Sequence, residues 1–237
     1  MGTLAFVCAM PLEMRPLAKR LDLEKSTVEG VEVRTGTLDG QPVVGFVTGM
    51  GPALATEGID RLLAAVHPER VVVFGITGAV EDDTPIGAVV MPARVINHAT
   101  GRIHEHHPPG GEVTAGALWT TGIMTPSGDL PALIEQGVIA LDMETAAYAE
   151  SCEREGVPWS VHRAVSDRAT DDSIDDEVFH LVNLDATPNW GNIARYFLKH
   201  PQRIPSMVTL AKGSRLAMER SVDAAIAAAR ASRTATS

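Results

Sequence analysis

The stretch "ALDMETAAYAESCEREGVPWSVHRAVSDRA", Ala140 to Ala169, sets the pattern for the whole chain. Its middle reads as a helix from about Thr145 to Glu155, closed by Gly156 as C-cap with Pro158 just beyond. "WSVHRAVS" reads as a buried strand, and "GVIAL", just upstream, as a short one. A strand, a helix and a second strand in this order point to an α/β sheet. Acids stand at two corners of the unit: Glu144 at the helix entrance, and Asp167 at the carboxyl end of the late strand, directly after Ser166.

The alternation continues outward. "LAFVCAM", Leu4 to Met10, is a continuous apolar run and reads as the first buried strand. Pro11 and Pro16 make "PLEMRP" a loop or irregular turn, with a helix starting near Pro16 and Glu13 just past the strand. "VEVRTGTL" and "PVVGFVT" flank an Asp-Gly turn and read as a hairpin. After "TGMGP", Pro52 opens a helix with an apolar stripe of Ile59, Leu62, Leu63 and Val66. "RVVVFGI", Arg70 to Ile76, is another buried strand, followed by Thr77, Gly78 and Ala79. "GAVVMPARVI" is a further strand, with Pro92 marking an edge or bulge. "NHATGRIHEHHPPGGE" reads as an exposed loop, and "GALWTT" as a short strand. Past Asp167, "DRATDDSIDDE" is acidic, and Asn189 to Ala231 reads as two helices broken around "KHPQRIP". The expected fold is α/β: a three-layer αβα sandwich around a central sheet, mixed because a hairpin interrupts the crossovers. The expected organisation is one domain over residues 1–231 and a flexible tail over 232–237.

Composition limits the partners. Of 237 residues, 45% are hydrophobic and only 4% aromatic, so Ala, Val, Ile and Leu must fill the core. A net charge of −10 argues against nucleic acid or an anionic membrane surface as a general partner. No apolar run reaches the ~18–20 residues that span a bilayer, and the start lacks the basic region of a signal peptide. Cys8 and Cys152, both in apolar settings, read as reduced thiols of a cytoplasmic protein. His98, His104, His106 and His107 lie close in sequence, but lack H-E-x-x-H spacing and sit among Pro and Gly. They read as a solvated loop; no metal ligand is assigned and no cofactor is expected.

In open α/β sheets, ligands bind beyond the carboxyl ends of strands. Glu13, Glu144 and Asp167 fall at such places, as do the turns Gly49–Gly51 and Gly75–Gly78. Each acid also has a plainer reading. Asp167 suits an N-cap, Glu144 a first-turn acid complementing the helix dipole, and Glu13 a solvated loop position. Asp142 fits the capping role better than Glu144. The glycine turns match neither G-x-G-x-x-G nor the P-loop pattern.

The run "DMETAA" followed by "VPWSVHRAVSD" resembles the nucleoside phosphorylase and nucleosidase superfamily, most nearly its methylthioadenosine/S-adenosylhomocysteine nucleosidase branch. "AMPLEM", "TGMGPALA" and "FGITGAV" match in the same order, so the resemblance covers about Leu4 to Ala169. It implies an N-glycosidic reaction on a purine nucleoside, with adenine released. Under it, Asp167 is the general acid at purine N7, Glu13 the base that activates water, and Arg163 the group that orients Glu13. Met143 and Glu144 hold the ribose, Ser166 fixes Asp167, and Gly75, Thr77 and Gly78 line the base and sugar. "TTGIMTP" stands where the branch carries a stacking aromatic, which leaves Ile123 or Met124 to cover the ring; Trp119 reads as core. The resemblance also implies a homodimer.

Phosphorylases of the superfamily typically carry Gly-Asp-x-x-Arg-like residues in the first turn, where this chain has "PLEMRP" with Glu13, so hydrolysis is expected over phosphorolysis. Arg15 and Arg94 are the cations that keep phosphorolysis open. The run "FLKHPQRIPSMVTLAKGSRLA" is similar instead to phosphorylase-like proteins linked to hopanoid biosynthesis, and futalosine hydrolase is another relative, so the aglycone stays open. A nucleoside-binding protein with little turnover is the reading from a different class; the intact trio Glu13, Glu144 and Asp167 argues against it.

Overall fold

The apolar runs of the first half pair into the centre of one sheet. In the computed structural model, which describes residues 2–106, 108, 114–170 and 189–234, β1 (Leu4–Cys8) lies between β4 (Gln41–Val47) and β5 (Arg70–Ala79), parallel to both. β4 pairs antiparallel with β3 (Val31–Leu38), and β3 with β2 (Glu24–Val28). The β3–β4 turn has Asp39 at φ 48° and Gly40 at φ 84°, the two positive values that a tight hairpin between twisted strands requires.

β5 is the strand on which the sheet divides. β11 (Trp159–Arg168) runs parallel along it from Val71 to Ala79. Beyond the end of β1, β10 (Val138–Asp142) pairs antiparallel with Gly78 and Ala79 on its other edge. From β10 the sheet continues through β9 (Ala117–Thr120) and β7 (Arg94–Asn97) to β8 (Ile103–Glu105), while β6 (Val89–Val90) pairs with β11. The result is a mixed sheet of 11 strands.

Helices cover both faces. On one face Ile59 and Leu62 of α2 (Pro52–Val66) and Ala146 and Ala149 of α4 (Thr145–Arg154) pack with Val7, Val71, Val73 and Val161. On the other, Met14 and Leu17 of α1 (Pro11–Arg20) and Val222, Ala225 and Ile226 of the long C-terminal helix, Ile204–Thr234, pack with Phe6, Val72 and Phe74. Successive residues of β5 therefore serve opposite layers, which is why its sequence is a run of apolar residues rather than an alternation. The short α3 (Leu130–Glu135) lies near β10, and α5 (Trp190–Lys199) precedes the long helix, here α6. Cys8 and Cys152 are buried free thiols. Among the described residues no helix is long and apolar enough to cross a membrane.

Four expectations change. "PLEMRP" is helical from Pro11, not a loop. Pro11 occupies the first turn, where a missing N–H costs nothing, and Glu13 secures that turn by accepting from the amides of Ala9 and Met10; Pro16 lies inside the helix. "GAVVMPARVI" is split at Met91–Ala93 into β6 and β7. The exposed-loop reading of the histidine region holds for residues 98–102, where His98 is exposed, and fails just beyond them. Ile103–Glu105 form β8, and His104 and His106 are buried. His104 Nδ1 is 2.8 Å from Glu153 Oε2; His106 Nδ1 donates to Pro92 O, and its Nε2 accepts from the Val161 amide. Both are structural groups: His106 is bonded on both ring nitrogens, while His104 Nε2 is buried 3.6 Å from Glu150 Oε1 without a hydrogen bond. Finally, α6 runs to Thr234, where the last helix was expected to end at Ala231. His107, residues 109–113, the acidic stretch Asp171–Glu177 and residues 235–237 lie outside the described residues.

Phe6 is fully buried and meets Phe74 edge-on at 6.4 Å. Phe6→Ala is expected to lower unfolding stability by about 3–5 kcal/mol in urea denaturation, because rigid strand neighbours cannot close the cavity.

Candidate functional site

The carboxyl ends of β1, β5 and β11 meet the start of α4 at one cavity of about 140 Å³, whose lining includes Met10, Glu13, Thr77, Glu144, Arg163 and Asp167. Met143, Gly78 and Ser166 line it as well. A second cavity of about 140 Å³ adjoins it through Gly78, Leu141, Asp142, Met143 and Asp167, and carries Ile123, Met124 and Arg168 on its wall. Ile123 is 64% exposed, so it forms a rim rather than a buried lid.

Arg163 is the centre of the site. It is fully buried on β11, and burying a guanidinium is costly unless it is paired. Its Nη2 donates to Asp142 Oδ2 at 2.6 Å and lies 3.6 Å from Glu144 Oε2; its Nη1 lies 3.9 Å from Glu13 Oε1 and donates to Ile76 O. Thr145 Oγ1 accepts from Nε and Nη2. One cation thus faces three carboxyl groups from three elements. The acids hold the Arg163 pKa above its ordinary value against the opposing effect of burial.

Glu13 is held on both oxygens. Oε2 accepts from Ala9 N at 3.1 Å and Met10 N at 2.9 Å, and Oε1 from Ile76 N at 2.8 Å. A carboxylate offers about four lone-pair directions, so about one is left for a molecule in the cavity. Burial pushes the Glu13 pKa up, against Arg163 and the three amides, which pull it down. Glu144 is the N-cap residue of α4 by position, yet its carboxyl caps another helix: Gly51 N, at the start of α2, donates to Oε1 at 2.8 Å. Burial pushes Glu144 up to about 8; Arg163 opposes, and Asp142 adds to the rise.

The Asp167 end is shaped by an irregularity. The β5–β11 register shifts between Val165 and Asp167, so Ser166 is an extra residue on β11. Such a bulge redirects side chains. Ser166 Oγ donates to Asp167 Oδ1. Asp167 is half-buried, and a Cβ on Gly78 would stand 3.3 Å from its Oδ2. Gly75 has φ +142°, and a Cβ there would fall 2.4 Å from Glu13 Oε1 and 2.6 Å from Arg163 Nη1. The Glu13–Arg163 approach therefore requires glycine on both counts.

The structure thus brings Glu13, Met143, Glu144, Arg163, Ser166, Asp167, Thr77 and Gly78 to one cavity and Ile123 to its neighbour, while Gly75 lies behind the pair. Thr77 turns its hydroxyl to Leu141 O. Neither Arg15 nor Arg94 lines either cavity; Arg94 donates to Gln136 O. Sequence reasoning assigned Asp142 only a cap. It does accept from Thr145 N, but it is also the nearest acid to Arg163 and takes the Thr120 hydroxyl on Oδ1. Ser221 of α6 was missed altogether. It accepts from Gly75 N and donates to His162 O, tying α6 to the back of the site from 146 residues away.

Comparisons agree with this architecture. A family model described as the phosphorylase superfamily matches residues 3–127. A 5'-methylthioadenosine/S-adenosylhomocysteine nucleosidase of Bacillus thuringiensis is 27% identical over 219 residues, covering 76% of this chain and 95% of the relative. The solved nucleosidase of that name from Neisseria meningitidis, in complex with methylthio-immucillin-A, aligns over 98% of this chain and 100% of its own with TM-score 0.71 and 17% identity. Futalosine hydrolase of Helicobacter pylori aligns over 99% and 98% with TM-score 0.70 and 13% identity. At such identities the solved structures show a common fold.

The raised carboxyl pKa values carry a stability signature. A folded-state acid with a raised pKa keeps a proton that the unfolded chain loses near its ordinary value of about 4.3. The folded state then binds more protons, so stability falls as pH rises. For Glu144 the window runs from that value up to about 8. Melting temperature is expected to fall across this window, and Glu144→Gln to flatten the slope.

Proposed function

Because the chain belongs to the phosphorylase superfamily, we propose that it is a purine nucleoside N-glycosidase, hydrolysing an adenine nucleoside such as methylthioadenosine or S-adenosylhomocysteine to free adenine and the sugar. The observation that carries this reading is the convergence of Glu13, Glu144 and Asp167, from three separate segments, on one cavity organised by Arg163. The similarity to curated nucleosidases supports it.

In the proposed reaction Asp167 delivers a proton to N7 of the purine, making it a neutral leaving group; such acid catalysis typically contributes about 10²–10⁴-fold. Ser166 holds the carboxyl in place. As the C1′–N9 bond breaks, the ribose becomes positive, and Glu144 and Met143 hold it in an acid-rich cavity that favours that charge. Glu13 takes a proton from water as its oxygen bonds to C1′. Burial raises the proton affinity of Glu13, and so its strength as a base. Arg163 keeps both glutamates oriented. Water, rather than phosphate, fits this arrangement. The buried cation is already saturated by acids, and a phosphate dianion would meet Glu13.

As a proposal, the protein acts in the cytoplasm as one phosphorylase-like domain over 1–231 and as a homodimer. Two buried free thiols support the first point, and the exposed Ile123 and Met124 at the cavity rim support the last.

The test is adenine release from methylthioadenosine, S-adenosylhomocysteine and adenosine, followed by chromatography with and without phosphate. Release without phosphate is expected; release only with phosphate would make the protein a phosphorylase and remove Glu13 from its role. Asp167→Asn is expected to lower kcat by about 10²–10⁴-fold with the melting temperature little changed. Near-full activity in that variant would sink the assignment of the acid.

A further inference from the structure

One step of the ladder between β5 and β11 is bridged by a side chain. At the start of the pair the Val71 amide donates to Pro158 O at 2.9 Å, with Val71 opposite Trp159. In a parallel pair alternate residues of one strand make the bonds, so the same register brings the Gly75 amide to His162 O. The two groups meet through Ser221 of α6. Gly75 N donates to Ser221 Oγ at 2.7 Å, and Ser221 Oγ donates to His162 O at 2.7 Å. A serine hydroxyl has one proton to give and lone pairs to accept with, so it serves a donor and an acceptor together. Ser221 is fully buried, where a backbone amide and carbonyl must find partners within the protein.

The bridge stands where both members of the Glu13–Arg163 pair are held. The residue after Gly75 is Ile76, whose amide donates to Glu13 Oε1 at 2.8 Å and whose carbonyl accepts from Arg163 Nη1. The residue after His162 is Arg163 itself. The helix that delivers the hydroxyl is fixed on both sides of it. Val222, Ala225 and Ile226 pack in the cluster of Phe6, Val72 and Phe74. Earlier on the same helical face, a Cβ on Gly213 would stand 3.0 Å from Ser166 O, so α6 also lies close against the end of β11.

Resting on the nucleosidase reading above, we propose that Ser221 is a positioning residue for the base that activates water: by bridging Gly75 N and His162 O it sets the approach of Glu13 to Arg163. It is not among the residues lining the reaction cavity, and it acts through the backbone of Gly75–Ile76 and His162–Arg163. Without the hydroxyl, the Gly75 amide and the His162 carbonyl must close on each other or stay unpaired, and either outcome moves Ile76 N relative to Glu13. Arg163 and the Ile76, Met10 and Ala9 amides pull the Glu13 pKa down against burial, so loosening the first two raises it further. Glu13 also faces Glu144 from α4 and Cys8 from β1, and Arg163 faces Asp142 from β10 and Tyr148 from α4; a Ser221 substitution leaves those groups chemically unaltered. A base must be ionised to take a proton, so the acidic limb of the kcat/KM profile moves to higher pH when the bridge is lost.

The full chain would be compared with Ser221→Ala, Ser221→Cys, Ser221→Thr and Val222→Ala in adenine release from methylthioadenosine against pH. Ser221→Ala is expected to lower kcat by about 10–10²-fold with KM little changed, and to move the acidic limb up. Ser221→Cys, a weak donor of similar size, is expected to act in the same direction and serves if the alanine variant does not fold. Ser221→Thr keeps the hydroxyl and is expected to restore part of both effects. Val222→Ala removes a neighbouring core contact on the same helix and is expected to lower the melting temperature without moving the limb. Wild-type kcat and limb in Ser221→Ala, or both effects reproduced by Val222→Ala at a similar loss of melting temperature, overturn the proposal and leave Ser221 a core residue. A second readout needs no turnover: the Glu13 carboxyl, assigned in carbon-13 NMR by its loss in Glu13→Gln, is expected to titrate at higher pH in Ser221→Ala. If the wild type releases no adenine from any nucleoside while this rise is seen, the nucleosidase reading falls and the hold of Ser221 on Glu13 stands. Absence of the rise overturns the proposal whatever the turnover.

Discussion

A guanidinium buried with 1% exposure and 2.6 Å from a carboxylate is the contact around which the site is assembled. Arg163 sits in the middle of a strand whose neighbours are apolar, where an unpaired charge would cost several kcal/mol. Its pairing with Asp142, Glu144 and Glu13 therefore constrains the end of β10, the start of α4 and the first turn of α1 at once. Desolvation keeps Glu13 and Glu144 above their ordinary pKa, and at Glu144 the neighbouring Asp142 adds to the rise. The acids proposed to face the developing cation are thus the same groups that hold the sheet's carboxyl edge together.

The backbone accommodates this cluster by absence as well as by contact. Gly75 has no side chain where Glu13 and Arg163 approach, and its amide is bound from behind by Ser221. Gly51 lends its N–H to Glu144 at the start of α2. The bulge at Ser166 turns Asp167 toward Gly78. Each device is local, yet each depends on an element far away in sequence, so removal of one partner is felt across the sheet.

Much of this was legible in the sequence. β1 and most of β5 are apolar runs, β11 is an apolar strand interrupted by His162 and Arg163, α2 opens at Pro52, and α4 closes just before Gly156. β2, all polar or β-branched in "EKSTV" and largely exposed, gave no hydrophobic pattern to read. β8 was hidden for the opposite reason. Its polar residues include His104, which is buried because Glu153 on α4 receives it, and no local periodicity reports such a partner. The helix at Pro11 was missed because two prolines argue against a helix unless the capping by Glu13 is known.

The sequence by itself determined the alternation of strands and helices, the acids Glu13, Glu144 and Asp167 at strand and helix ends, and the order of segments that resembles the superfamily. Those properties are written in nearest-neighbour chemistry: apolar runs, caps and turn residues. Only the tertiary structure decided that Asp142 is the nearest acid to Arg163 rather than merely a cap, that Ser221 supports Gly75, and that His106 completes a strand edge. These are pairings between residues 21 to 146 positions apart, made because a buried charge, amide or ring nitrogen must find a partner wherever the fold supplies one.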